Sequence, residues 1–325
     1  MKSLKNTPVL VTGATGFVGS RLSELLATRE EAQVTGIGRN LDRVSYLKNM
    51  GVVLQAADIL DEEALKKWVK GKDIVIHTAA ALVADLAMAQ KVNVDATETL
   101  IRLAAEAGVS RFVHVSTVGA CDMTNLTLVE ESAPLALNHS SVYPKTKAEA
   151  EKRAIETAAA YGMELSIVRP TMIYGPGHGV WSEGMFSAIL KGNPVLFGDG
   201  SGNFHPVYID DVVEGLILCA IHPKAAGETF NLSNGLTTWQ EFMSNYSNLS
   251  GKKLKSIPLL VARLLAFANK IPGIKTPIDQ GFIEMATSKK DFPNNKAAKL
   301  IGWRPQVSYE EGMKKTLEWL KKELL

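Results

Sequence analysis

Cysteine is almost missing from this chain: Cys121 and Cys219 are its two representatives in 325 residues. Two isolated thiols form neither a metal-binding nor a redox-active spacing and no disulfide framework, which fits a reducing cytoplasm. Long apolar runs are missing too. The most apolar stretch, Ile257 to Ala268, is bounded by Pro258 and Pro272 and interrupted by Arg263. It falls short of the roughly 20 residues a crossing helix needs and reads as a buried helix or a wall of a substrate pocket. Charge is nearly balanced, and a formal value of +2 is too small to argue for nucleic acid or an anionic membrane. No signal-peptide core precedes the first strand, no internal repeat is present, and His, Cys and carboxylates nowhere cluster as metal ligands. With 46% hydrophobic and 22% charged residues, the composition is that of an ordinary globular protein. The expectation is a cytoplasmic protein whose partner is a small molecule.

What the chain does have is glycine in a pattern. Thr12-Gly13-Ala14-Thr15-Gly16-Phe17-Val18-Gly19 follows the apolar run Val9 to Val11 and opens a stretch with apolar residues at 18, 22, 25 and 26. A strand feeding a glycine turn that opens a helix can hold a dinucleotide pyrophosphate, because uncapped N–H groups and the positive end of the helix dipole meet there. Gly13 allows the tight turn, Gly16 close approach of backbone to phosphate, and Gly19 close packing of helix on strand. Further on, Tyr143-Pro144-Lys145-Thr146-Lys147 places a phenol and an ammonium one helical turn apart. Pro144 suits a first helical turn, where its missing N–H costs nothing.

The first half alternates strand and helix, with strands expected near 9–12, 33–37, 52–56, 73–77, 111–116 and 164–169. Such alternation predicts an α/β fold, a doubly wound parallel sheet of Rossmann type with ligands at the carboxyl ends of the strands. Gly13, Arg39, Asp58, Ala79, Thr117 and Pro170 each follow directly on one of the six strands. After residue 170 the pattern turns irregular. The expected division is a dinucleotide-binding domain over 1–170, to which a segment at about 207–232 returns, and a smaller C-terminal substrate-binding domain over 171–325.

Taken together these segments resemble an extended short-chain dehydrogenase/reductase, in the branch of 3β-hydroxysteroid dehydrogenases and dihydroflavonol reductases. The similarity covers nearly the whole chain. It includes Asp58-Ile59, Asp73-Ile74-Val75-Ile76-His77-Thr78-Ala79-Ala80, Asn93-Val94-Asp95-Ala96-Thr97 and Arg111-Phe112-Val113-His114-Val115-Ser116-Thr117. Arg169-Pro170, Tyr174-Gly175-Pro176, Val207-Tyr208-Ile209-Asp210-Asp211 and Gly302-Trp303-Arg304-Pro305 extend it. The resemblance implies Tyr143 as general acid/base and Lys147 as both its partner and a binder of the nicotinamide ribose. It implies Thr117 as the hydroxyl that bonds the substrate oxygen, with Ser116 as fallback. Gly13, Gly16, Phe17, Val18, Arg39, Asp58, Ile59, Ala79, Tyr143, Lys147 and Pro170 are the expected cofactor contacts. Reducing a ketone requires a proton at the developing alkoxide, and a nearby ammonium is expected to draw the phenol below its ordinary value of about 10.

The end of the second strand bears on cofactor choice. An acid there would hold the ribose hydroxyls of NAD, whereas Gly36-Ile37-Gly38-Arg39-Asn40 offers an arginine suited to the extra phosphate of NADP. NADP is therefore favoured, with NAD as the alternative. Relatives acting on nucleotide sugars carry an arginine shortly before the Val-x-x-Asp-Asp segment, but Gly202-Asn203-Phe204-His205-Pro206 stands here. That departure, with the apolar stretch Ser256 to Ile274, favours an oxidoreductase acting on a fairly hydrophobic carbonyl or secondary alcohol. The alternatives are a nucleotide-sugar 4-epimerase or dehydratase, and a non-catalytic sensor of nicotinamide ratio, which would usually lack the Tyr-Lys pair. His77 and His114 read as core histidines; His178 and His205 lie in loops where substrate contact and an ordinary role remain open. Trp181, Phe186 and Trp239 read as packing residues, the first two also as possible pocket walls. By analogy with the family, helices at about 85–107 and 145–161 are expected to form the four-helix bundle of a homodimer.

Overall fold

Short runs of Val, Ile and Leu become the six strands the sequence expects, each within one residue at either end. They are β1 (Pro8–Thr12), β2 (Gln33–Gly38), β3 (Val53–Ala56), β4 (Ile74–His77), β5 (Arg111–Val115) and β6 (Leu165–Pro170). This computed structural model describes residues 3–83, 85–269, 276, 278 and 280–325. All residues of β4 and β6 are buried, as strands of a parallel sheet covered on both faces must be. Side chains alternate between the layers. Val9 and Val11 join one apolar cluster and Leu10 the other.

Helix α1 (Phe17–Thr28) covers the first face. On the second lie α2 (Glu62–Val69) and a continuous helical rod made of α3 (Leu86–Ala89), a π turn (Gln90–Asp95) and α4 (Ala96–Glu106). Beside the rod lies α5 (Val142–Tyr161). Local chemistry starts and stops them. Asp61 caps α2 by accepting from Ala64 N at 3.0 Å, with Glu62 and Glu63 in the first turn and Lys66 and Lys67 in the last, matching the helix dipole. Helix α5 ends at Gly162, whose φ of 66° is left-handed.

The sheet does not close with β6. After β7 (Met172–Tyr174) and α6 (Met185–Leu190) come the short β8 (Leu196–Phe197), β9 (Asn203–Phe204) and β10 (Pro206–Tyr208). Then α7 (Ile209–Ile221) leads to β11 (Thr229–Leu232). Strand β11 pairs parallel to β6, giving seven parallel strands in the order β3-β2-β1-β4-β5-β6-β11. The order reverses between β1 and β4, which opens a crevice at their carboxyl ends. Gly13, after β1, and Ala79, after β4, meet there.

The remaining chain builds a second core. Strand β7 pairs β10, β9 pairs β12 (Thr237–Thr238), and β8 pairs β13 (Ser256–Ile257). Helix α8 (Trp239–Ser250) starts with a full capping box between Thr238 and Glu241. Its Trp239, Phe242 and Tyr246 pack with Phe186 and Phe204 in an aromatic cluster, with Phe204 and Phe242 stacked at 4.1 Å. Phe186 and Trp239 are thus packing residues, and Trp181 lies edge-on against Trp239. Helices α9 (Leu259–Ala268), α10 (Gln280–Ala286), α11 (Asn295–Ile301) and α12 (Tyr309–Leu324) complete the chain. Of the two readings of the apolar stretch, the buried helix fails here. Helix α9 is not a buried helix: Ala262 and Ala266 are its buried residues, while Leu260 and Leu264 are 71% and 61% exposed. The part of the apolar stretch at 270–274 lies outside the described residues. No helix among them is long and apolar enough to cross a membrane.

Candidate active site

The glycine turn has the shape of an anion cradle. Gly13 adopts a φ of +71°, and a Cβ there would lie 2.7 Å from Ala79 N, on the turn after β4. A Cβ on Gly19 would lie 2.2 Å from Gly13 O, so no other residue lets α1 approach this closely. Gly16 donates its N–H to Gly13 O at 2.9 Å and stands at the N-cap of α1, which has no side-chain cap and no acid in its first turn. The N–H groups of Phe17 and Val18 and the helix dipole are therefore left for an anion. The hydroxyl of Thr78 donates to Thr12 O at 2.7 Å, which ties the ends of β1 and β4 together at the reversal point. The Phe17 ring is turned the other way, against the glycines of the following part: a Cβ on Gly179 would lie 2.7 Å from it. These residues fit a dinucleotide pyrophosphate.

Next to the cradle, β2 ends at Gly38, where a Cβ would lie 2.5 Å from Thr15. Arg39 follows, exposed and without an ion-pair partner among the described residues. Ala57 N donates to Gly38 O at 3.1 Å, so the chain after β3 runs alongside. Asp58 there is exposed and accepts from Leu60 N at 2.9 Å. Ile59 helps line a cavity of about 330 Å³ with Lys91, Asp95 and Thr99. Pro170 is buried at the end of β6.

Helix α5 carries Tyr143 and Lys147. Tyr143 and Pro144 lie in its first turn, and Tyr143 is half-buried. Lys147 is 1% exposed, and its Nζ donates to Val115 O at 2.7 Å. That bond fixes α5 to the end of β5, two residues before Thr117. Burial lowers the Lys147 ammonium to about 8, opposed by the charge of Glu151 one turn on. Burial pushes the Tyr143 phenol up to about 12. This reverses the expected direction: desolvation of the phenol outweighs any influence of the ammonium, which is bound to a carbonyl. The phenol is therefore protonated at neutral pH. Thr117 is half-buried, and its Oγ1 accepts from Gly119 N at 3.1 Å while donating to no described residue. Ser116, by contrast, donates its hydroxyl to Glu151 inside the core.

Below Lys147 the two strand histidines are stacked at 5.4 Å. His77 bridges Thr12 at 2.6 Å and Thr97 at 3.0 Å. Burial, then the Lys147 charge, lowers His77 to about 3 and His114 well below its ordinary value. Both are neutral core residues. His205 is also buried, held by Lys290 O at 2.8 Å, whereas His178 is exposed and pairs Glu183 at 2.8 Å.

Several supporting residues have no role assigned from the sequence, although Asn93, Arg169, Asp210 and Asp211 stand in segments that carry the resemblance. Glu151, fully buried, forms a bidentate ion pair with Arg169 at 2.6–3.1 Å, and Arg169 also reaches Glu131 O at 3.1 Å. A carboxylate at i+4 from Lys147 on an alanine-rich buried face could have been noticed. Asn93 holds Ala81 through both its N–H (2.7 Å) and its C=O (3.1 Å) and donates to Thr146 at 3.0 Å, locking the turn after β4 to α5. The Asp210-Asp211 motif interlocks elements. Asp210 takes a bidentate pair from Arg21 of α1 at 2.7 and 3.0 Å. Asp211 accepts from Gln306 N at 2.7 Å, and its carbonyl accepts from Trp303 Nε1 at 2.8 Å.

A seven-stranded doubly wound sheet with a glycine cradle at its reversal point and a Tyr-Lys helix beside it defines an extended short-chain dehydrogenase/reductase. More narrowly, the chain belongs to the NAD-dependent epimerase/dehydratase family, whose model matches residues 9–233. It is 29% identical to a UDP-glucose 4-epimerase of Vibrio cholerae, over 95% of this chain and 94% of that one. It is 27% identical to the 3β-hydroxysteroid dehydrogenase/decarboxylase isoform 1 of Arabidopsis thaliana, over 95% of this chain and 78% of that one. Among solved structures, the dTDP-glucose 4,6-dehydratase DesIV of Streptomyces venezuelae, with NAD bound, superposes with a TM-score of 0.80 at 24% identity, covering 98% of both chains. Members of this family are NAD-dependent enzymes.

Proposed function

We propose that the protein is an NADP(H)-dependent oxidoreductase interconverting a carbonyl and a secondary alcohol on a fairly hydrophobic small molecule. The observation that carries this reading is the placement of Tyr143 in the first turn of a helix whose Lys147 is fixed to the end of β5, two residues before the unengaged hydroxyl of Thr117. When bound, the nicotinamide gives or takes the hydride. Tyr143 donates a proton to the substrate oxygen in the reducing direction and accepts it in the other. Thr117 aligns that oxygen with its unengaged hydroxyl proton, a role open to it and not to Ser116. Lys147 supplies positive charge near the phenol and a donor for the ribose. Gly13, Gly16, Phe17 and Val18 hold the pyrophosphate by backbone, Asp58 and Ile59 flank the adenine end, and Ala79 and Pro170 close the crevice. The outward side of α5, with Ile155 and Tyr161 half exposed, is our candidate for the homodimer face together with α4.

Arg39 supports NADP, because an exposed guanidinium at the end of β2, without an ion-pair partner among the described residues, matches a 2′-phosphate. Arg39→Ala should weaken NADP binding roughly 10- to 100-fold, the size of a charged hydrogen bond of about 1.5–3 kcal/mol, and leave NAD binding nearly unchanged. Calorimetric titration with both cofactors checks this; equal losses would reject the assignment.

The hydrophobic substrate is supported by the stretch before the Asp210-Asp211 motif, which offers no cation to clamp a diphosphate. Phe204 and His205 are buried. The neighbouring Lys289 and Lys290 ammoniums are bound to backbone carbonyls, Lys289 to that of Ser201 and Lys290 to those of Met123 and Leu126. A second reading, a nucleotide-sugar epimerase or dehydratase, is favoured by the likeness to the Vibrio enzyme. An NADPH-oxidation screen against steroid, flavonoid, β-keto and aromatic ketones, with UDP-sugars followed in parallel for epimerisation, separates the two. Net NADPH consumption with a ketone is the expected result. Turnover of UDP-sugars alone, without net cofactor oxidation, would replace the reductase with the second reading.

A further inference from the structure

Helix α9 turns its apolar side outward. Leu260, Val261, Leu264 and Leu265 are 71%, 44%, 61% and 36% exposed, while Ala262 and Ala266 are buried on the second core. At about 100° per residue, these four leucine and valine side chains occupy one continuous sector opposite the two alanines. Single exposed leucines are ordinary in soluble proteins, but three leucines and a valine together on one helical face form a patch of the kind that marks an interaction site.

The charge carried by the sequence flanking this helix bears on the partner. Between Glu241 and Asp279 the sequence has six basic residues, Lys252, Lys253, Lys255, Arg263, Lys270 and Lys275, and no acidic one. Net charge is near zero for the whole chain, so this is a local concentration. Lys252, Lys253, Lys255 and Arg263 are exposed and form no ion pair among the described residues. Arg263 lies on the helix itself, at the edge of the apolar sector. The one described carboxylate on the adjoining α10, Glu284, accepts a bond from Gln280 at 2.9 Å.

We infer that α9 is an interfacial helix that seats the protein on an anionic lipid surface. An apolar face flanked by lysine and arginine, on a helix too short to cross, is the pattern of a segment lying in the plane of the bilayer interface. The lysines before the helix meet the headgroups and the leucines enter the acyl boundary. The inference stands apart from the proposed reaction, because it rests on the surface of the second core and on no residue of the candidate active site. It also accounts for the failure of α9 to be buried.

Vesicle co-sedimentation of the full chain tests this, using phosphatidylcholine alone and phosphatidylcholine mixed with phosphatidylglycerol, at low and high salt. The protein should bind the mixed vesicles at low salt and be released by high salt. Leu260→Glu with Leu264→Glu should reduce binding at least about tenfold, as should Lys252→Glu with Lys253→Glu. Cofactor binding should be unchanged in both variants, which establishes that they are folded. Failure of the unmodified protein to bind mixed vesicles, or full binding by either variant, overturns the inference. So does a solution dimer that the leucine substitutions dissociate, since a second copy would then be the occupant of this face.

Discussion

Tyr143→Phe is expected to leave NADP affinity within experimental error of the unmodified protein and to lower turnover by about 10²- to 10⁴-fold, the usual contribution of a positioned acid. The substitution removes one hydroxyl from a half-buried ring and leaves the packing of the first turn of α5 intact. Steady-state turnover and cofactor titration on the same preparation measure both quantities, and retained turnover would reject the proton-donor role. The pH profile adds a second readout. With the phenol raised to about 12 and the ammonium lowered to about 8, Tyr143 stays protonated throughout the neutral range, and Lys147 is the group that changes charge first. Below pH 8 the lysine is charged; above it the charge is lost. Reduction should therefore be level through neutrality and fall on the alkaline side near pH 8. The fall reports the loss of the ammonium, with the phenol still protonated.

Arg169→Leu is expected to destabilise the fold by about 3–5 kcal/mol, because it leaves the fully buried Glu151 carboxylate without its bidentate partner. Urea unfolding measures the loss. The double variant Glu151→Leu with Arg169→Leu should recover much of it, since replacing both charges by apolar groups leaves no orphaned ion. If the two substitutions add, the pair is not a coupled unit and the account of this cluster is wrong. The consequences extend beyond stability. Glu151 sits one turn from Lys147 and supports its charge, and Ser116 at the end of β5 donates to the same carboxylate. The ion pair therefore stiffens the place where β5, β6 and α5 meet under Tyr143.

Periodicity carried the nucleotide-binding half. Its strands are short and, in β4 and β6, buried throughout, so apolar runs mark them locally. The glycine turn was equally legible, because a left-handed Gly13 and the contact of Gly19 with Gly13 O are demands only glycine meets. The seventh strand was less so: Thr229–Leu232 is a short run whose partner, β6, lies some sixty residues earlier in the chain. Helix α9 misled in the opposite way. An apolar composition says that side chains avoid water in isolation, and it does not say whether the fold provides a surface to cover them.

The direction of the phenol shift is the clearest case of what sequence spacing cannot reach. Tyr143 and Lys147 at i and i+4 lie on one face of a helix, and from that alone the ammonium ought to favour phenolate. In the folded chain Lys147 is drawn to Val115 O, and burial of the ring sets the sign. The sequence by itself determined the order of strands and helices, the glycine cradle and the identities of the groups around it, because these depend on neighbours within a few residues. Only the tertiary structure decided which charges are paired, which hydroxyl is unengaged and which apolar face is left in water. Those outcomes depend on desolvation and on contacts between β5, α5 and the second core, which are distant along the chain.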